Sequence, residues 1–151
     1  MKPVHQTTNC LEDARISVKV KLSGLWVALI MFYIYADILS LYKPGQIADM
    51  TSGLMGPFPV TQLSLLMASV LMAIPAVMIF LSLVLKPKVN RWTNIFVGAL
   101  HTVIGIANLI GVTWSYYIFY GGLEIIFTLL IVYYAWTWPK QESVDQVLNN
   151  V

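Results

Sequence analysis

Four long apolar stretches, separated by short polar segments, dominate the hydrophobicity pattern of this 151-residue chain. Each stretch is about long enough to cross a bilayer as a single α-helix, which needs roughly 20 mainly apolar residues. A polar tail flanks them on either side. The sequence therefore predicts an all-α bundle of four transmembrane helices. Its spans cover about 22–42, 60–85, 92–112 and 115–138, within a transmembrane domain of 21–139 flanked by tails at 1–20 and 140–151.

The connections between the spans carry recognisable break signals. Lys43, Pro44 and Gly45 end the first span, because proline and glycine together interrupt helices. The segment 44–59 is too apolar for a free linker, so we expect it to lie over the mouth of the bundle, with a short helix around 46–50. A basic turn joins the second span to the third. Only a tight turn separates the third span from the fourth, which predicts an antiparallel pair.

The distribution of positive charge predicts the orientation, because cytoplasmic loops are enriched in lysine and arginine. With four spans, Lys43 falls on one face of the membrane and the other eight cations fall on the opposite face. Both termini are therefore expected to be cytoplasmic, in a multi-pass protein of the inner membrane. The tryptophans should form aromatic belts at the two interfaces: Trp26, Trp92, Trp136 and Trp138 at the inner boundary and Trp114 at the outer one.

Composition agrees with a membrane protein and excludes several other classes. Hydrophobic residues make up 58% of the chain and charged residues 11%, against about 25% charged in a typical soluble domain. The net charge of +2 is small and clustered near span ends, so nucleic acid is not an expected partner. The single cysteine, Cys10, excludes an intrachain disulfide and a cysteine metal cluster. No established catalytic or nucleotide-binding motif occurs, and no cofactor or metal is expected.

Few strongly polar side chains interrupt the predicted spans, and they carry the candidate chemistry. Asp37, Asn108 and Glu124 belong to three different spans and lie in the outer half of the bilayer, while His101 is nearest the midplane. A carboxylate within an apolar span is costly, so Glu124 should face protein or trapped water rather than lipid. Three- and four-residue spacing places further polar and small residues on the same helical faces. The candidate ligand-binding residues are Asp37, Glu124, Asn108, His101, Tyr33 and Tyr117.

Three strings in the chain resemble a known family. They are YIYADILSLYKPG at 33–45, IPAVMIFLSLVLKPKVNRWTNI at 74–95 and LEIIFTLLIVYYAWTWP at 123–139. The chain resembles a family of small bacterial four-span membrane proteins, known as a domain of unknown function, from about Arg15 to Pro139. The resemblance implies a four-helix membrane fold and no particular activity, substrate or cofactor.

These features leave three functional hypotheses open. The first is a protein that binds or transports a small molecule or lipid in an outer-half polar pocket, with a small apolar or cationic ligand, membrane lipid as a partner and a homo-oligomer as its assembly. The second is an intramembrane enzyme whose two carboxylates act as acid and base on an apolar substrate; it requires both groups in one pocket. The third is a structural or assembly subunit, in which Asp37 only meets water and Glu124 and His101 only fix packing. That hypothesis expects no cavity between the helices.

Overall fold

The computed structural model describes residues 16–139, which are mostly helical. Three of the helices, at Val18–Ser40, Gln62–Val84 and Ser115–Trp136, are long and apolar enough to span a membrane, and the helix at Pro87–Asn108 is as long but less apolar. The expected short helix after the first span is present at Gln46–Thr51. In chain order the elements are α1 (Val18–Ser40), α2 (Gln46–Thr51), β1 (Leu54–Met55), β2 (Phe58–Pro59), α3 (Gln62–Val84), α4 (Pro87–Asn108) and α5 (Ser115–Trp136).

Local chemistry explains where these helices begin and end. The Ser17 side chain accepts a hydrogen bond from the Val20 N–H and caps α1, and Thr61 and Ser64 form a reciprocal capping box at the start of α3. The predicted third span, 92–112, is displaced from the observed helix. Pro87 occupies the first turn of α4, where its fixed φ suits helix initiation, and the helix ends at Asn108 before Gly111, which has a φ of 79°.

The four long helices alternate in direction along the bundle. α1 packs against α3 and α5, α4 packs mainly against α5, and side chains of α1 and α4 meet across the interior. One end carries the β1–β2 hairpin, which sequence analysis missed; we call it the hairpin end. The opposite end, the basic end, contains the α3–α4 turn and a cluster of cations: Lys19, Lys21, Lys86, Lys88 and Arg91.

The apolar core occupies the half of the bundle toward the basic end. It contains Leu22, Leu29, Met78 and Ile131, together with Trp26 and Ala135. The aromatic-belt prediction is wrong for Trp26, which is fully buried. Its indole N–H donates to the Asn94 side-chain oxygen at 2.7 Å, so this tryptophan is held inside the bundle by a polar partner on α4.

Pro75 divides α3 into two unequal parts. Because proline has no backbone N–H, the carbonyl of Leu71 lacks its usual helical partner. The buried residues of α3 are Pro75, Met78 and Ser82, all from Pro75 onward, whereas none is buried between 62 and 74. The helix is thus fixed to the bundle by its C-terminal half, and its N-terminal half covers the interior only loosely.

Close contact between α4 and α5 depends on Gly98. A Cβ atom at this position would lie 2.9 Å from Val132 Cγ2 and 3.3 Å from Ile131 Cγ2. We expect Gly98→Leu to lower the free energy of unfolding by about 1–3 kcal/mol, because overpacking forces neighbouring helices apart. Thermal unfolding in detergent, followed by circular dichroism, would measure this. Gly122→Leu on α5 is the matched control, since nothing lies within 4 Å of a Cβ there, and equal losses for the two variants would contradict the packing argument.

Candidate functional site

A small cavity lies inside the bundle, in the half toward the hairpin end. It has a volume of about 50 Å³ and is bounded by α1, α3, α4 and α5. All six side chains singled out from the sequence line it. They are Tyr33, Asp37, His101, Asn108, Tyr117 and Glu124, and the remaining lining residues are Ala36, Leu71, Met72 and Ile104.

Helical spacing brings these side chains to one place. Tyr33 and Asp37 are four residues apart on α1, so they share a face of that helix. On α4, His101 and Asn108 are seven residues apart, and on α5 the same spacing separates Tyr117 from Glu124. Because each of these faces turns toward the bundle interior, residues from three helices converge on a common space.

Exposure decreases steadily from one end of the cavity to the other. Asp37 and Asn108 are exposed and form its rim, and Tyr33 and Tyr117 are half-buried. His101 is 2% exposed and Glu124 is 8% exposed, so these two form the floor. The carboxylates therefore differ in setting, one at the mouth of the cavity and one at its buried end.

Hydrogen bonds join side chains around the cavity, but within residues 16–139 neither of its carboxylates takes part in one. Tyr33 Oη and His101 Nδ1 lie 3.1 Å apart, with the donor decided by the histidine tautomer. His101 Nε2 is buried and has no hydrogen-bond partner among residues 16–139. Near the rim, the Ser40 and Tyr116 hydroxyls are 3.0 Å apart and join α1 to α5. Among residues 16–139, neither Asp37 nor the Glu124 carboxylate takes part in such a bond or in an ion pair, which leaves acidic oxygens facing the cavity.

The composition and size of the cavity limit what it can hold. Two carboxylates, an amide, an imidazole and two phenols line it, and within the described part of the chain no lysine or arginine does. Sites for drug-sized ligands occupy roughly 300–1,000 Å³. A space of about 50 Å³ accommodates a few water molecules or one small ion. Over residues 16–139, no three or more His, Cys, Asp or Glu side chains are grouped to hold a metal ion.

A second polar cluster, which sequence analysis missed, lies toward the basic end. Asn94 Oδ1 accepts from Trp26 Nε1 at 2.7 Å and from the Ser82 hydroxyl at 3.2 Å. Its amide nitrogen donates to Asn90 Oδ1 at 2.6 Å, and Asn90 donates to the Ser82 carbonyl at 2.6 Å. All four residues are fully buried. The four-residue spacing of the two asparagines was the available signal, because it places two amides on one helical face.

The chain is thus a mostly helical protein with three helices of membrane-spanning length and apolarity and a polar cavity between them. It belongs to DUF6326, a family of unknown function, and the match covers residues 12–145. The resemblance to a domain of unknown function is therefore confirmed. Neither the curated proteins nor the solved structures compared with the chain include a significant match.

Proposed function

We propose that this is a multi-pass protein of a bacterial inner membrane that binds a small cationic group in the cavity. The observation that carries the proposal is the pair of carboxylates from separate helices, Asp37 and Glu124, lining one cavity. A buried carboxylate is costly unless it is protonated or paired with a positive charge. Since no cationic side chain among the described residues lines the space, a bound cation would provide the missing counter-charge.

We propose that α4 also crosses the membrane, which makes four spans together with α1, α3 and α5. Its low apolarity comes partly from Asn90, Asn94 and His101, which are buried in the bundle, and partly from Lys88 and Arg91 at the basic end. Its exposed positions include Phe96 and Val103, so the surface that α4 presents outward is apolar. A helix with its polar residues inside and its apolar residues outside suits a bilayer. We infer that the basic end is cytoplasmic, which would put the cavity mouth on the opposite side.

The size of the cavity favours a small ligand over the other two hypotheses. An enzyme acting on an apolar substrate would need room for that substrate beside both carboxylates, and about 50 Å³ does not provide it. A purely structural subunit gives no reason for acidic groups to line an internal space. Ammonium or methylammonium fits best, because each offers several N–H donors around one positive charge. Association into a homo-oligomer stays a prediction.

Calorimetric titration of the protein in lipid nanodiscs would test cation binding. We expect methylammonium to bind with one site per chain, and tetramethylammonium to bind about tenfold or more weakly, because its bulk exceeds the space and it has no N–H to donate. Binding should weaken on acidification, since protons compete with the cation for the carboxylates. Both titrations are run at the same ionic strength, so that screening is equal in the two. Equal binding of methylammonium and tetramethylammonium, or no binding of either ion, would refute the proposal.

A further inference from the structure

Leu71 lines two different spaces at once. On one side it belongs to the wall of the polar cavity, and on the other it lines an apolar groove of about 670 Å³ on the outer face of α3. The groove runs along α3 past Met67 and Val70 to Ile74, and Met55 and Phe58 of the hairpin close its far end. The Leu71 side chain thus lies between the acidic interior and a surface that would face acyl chains.

The wall at Leu71 is thin for a structural reason. The N-terminal part of α3 has no buried residue, Leu71 is only half-buried, and its neighbour Met72 is 45% exposed. Pro75 also leaves the Leu71 carbonyl without its helical partner. This part of α3 is therefore held against the bundle through half-buried side chains, among them Ala68, Leu71 and Ile74.

The groove itself is suited to an alkyl chain. The one polar residue in its lining, Ser64, already uses its hydroxyl in the capping box, where it accepts from the Thr61 N–H at 2.8 Å and donates to the Pro59 carbonyl at 2.9 Å. Between Ser64 and Ile74 the helix rises by roughly 15 Å, about the length of an extended dodecyl chain. The groove thus offers length and apolar contact but no hydrogen bond to an occupant.

We propose that the ligand is an amphiphile with a primary ammonium head and a single alkyl chain, the head lying in the cavity and the chain passing Leu71 into the groove. This inference rests on the proposed cation-binding function. The carboxylate of Glu124, 8% exposed and without a partner among the described residues, faces the head, and Asp37 at the rim adds a second negative charge. The small volume favours a primary over a quaternary ammonium, and the two carboxylates disfavour head groups that carry phosphate.

The test compares methylammonium with dodecylammonium, by calorimetry on protein in phosphatidylcholine nanodiscs and with empty nanodiscs subtracted. Val70→Trp fills the groove without touching the cavity, and Val77→Trp is its matched control. The two valines are on the same helix and are 56% and 52% exposed, but only Val70 lines the groove. We expect Val70→Trp to weaken dodecylammonium binding by about tenfold, since the alkyl chain loses its apolar contacts. It should leave methylammonium binding unchanged, and Val77→Trp should alter neither.

The outcomes separate this inference from the function on which it rests. If methylammonium binds while Val70→Trp and Val77→Trp affect dodecylammonium equally, the groove does not hold the alkyl chain and the amphiphile is rejected, although cation binding stands. If dodecyltrimethylammonium binds as well as dodecylammonium, the primary-amine assignment is overturned. If neither amine binds the wild-type protein, both proposals fail together.

Discussion

Glu124→Gln should abolish measurable methylammonium binding while leaving the bundle folded. Glutamine keeps the shape of the side chain but removes the negative charge at the floor of the cavity and replaces one accepting oxygen by an NH2 donor. Taking away one partner of a buried ion pair costs about 3 kcal/mol or more, which corresponds to a loss of affinity of roughly 100-fold. Calorimetric titration in nanodiscs would measure the loss, and circular dichroism would report the helix content.

Two further variants make this result specific. Asp49→Asn removes an acidic charge on α2, which lies at the hairpin end but does not line the cavity, so binding should be unaffected. Asp37→Asn removes the charge at the exposed rim and should weaken binding less than Glu124→Gln, because solvent screens charges at the rim. Retention of full affinity by Glu124→Gln would remove the basis for a binding site in this cavity.

The largest effect on stability is expected at Asn94. Replacing it with alanine strands the indole N–H of Trp26, the hydroxyl of Ser82 and the side-chain oxygen of Asn90, which are all fully buried. Each unsatisfied buried group costs about 1–3 kcal/mol, so the free energy of unfolding should fall by about 3 kcal/mol or more. Thermal unfolding in mild detergent would measure it. Asn108→Ala, at an exposed helix end, should have little effect on stability.

A double-mutant cycle would show whether the cost comes from the hydrogen bond between Trp26 and Asn94. Trp26→Phe removes the indole donor but keeps an aromatic ring in the core. When it is combined with Asn94→Ala, the total loss should be smaller than the sum of the two single losses, because the donor and acceptor are removed together. Strict additivity would indicate that packing, rather than this bond, holds α1 to α4.

Much of the fold and of the cavity could be read from the sequence because the information is local. Break signals such as Lys43-Pro44-Gly45 mark where α1 ends, and heptad spacing places Tyr117 and Glu124 on one face whatever α5 packs against. The small number of polar residues in the apolar spans also helped to identify candidate site residues. Few side chains there other than Glu124 would be too costly to expose to lipid. If each polar helical face avoids lipid, these faces turn toward the bundle interior, and their polar side chains are then expected to meet there.

The features that could not be predicted depend on contacts distant in the chain. Sequence analysis placed Trp26 at the membrane interface because tryptophans are common there. In the structure the Trp26 N–H donates to Asn94, 68 residues away in the chain, and the ring lies in the core. The start of α4 was missed because Pro87 was treated as part of a turn rather than as the first helical residue. The volume of the cavity depends on how loosely the N-terminal half of α3 covers it, which no local pattern records.

The position of Trp26 has a consequence for how the cavity exchanges with its surroundings. Its ring meets His101 edge to face, with centroids 6.0 Å apart, on the side of the cavity toward the basic end. An indole can donate a hydrogen bond but has no free lone pair with which to accept one, so Trp26 itself cannot pass a proton toward the basic end. The apolar core around Leu22 and Ile131 continues beyond Trp26 toward the basic end. We therefore expect water and ions to enter and leave the cavity at its rim, where Asp37 and Asn108 are exposed.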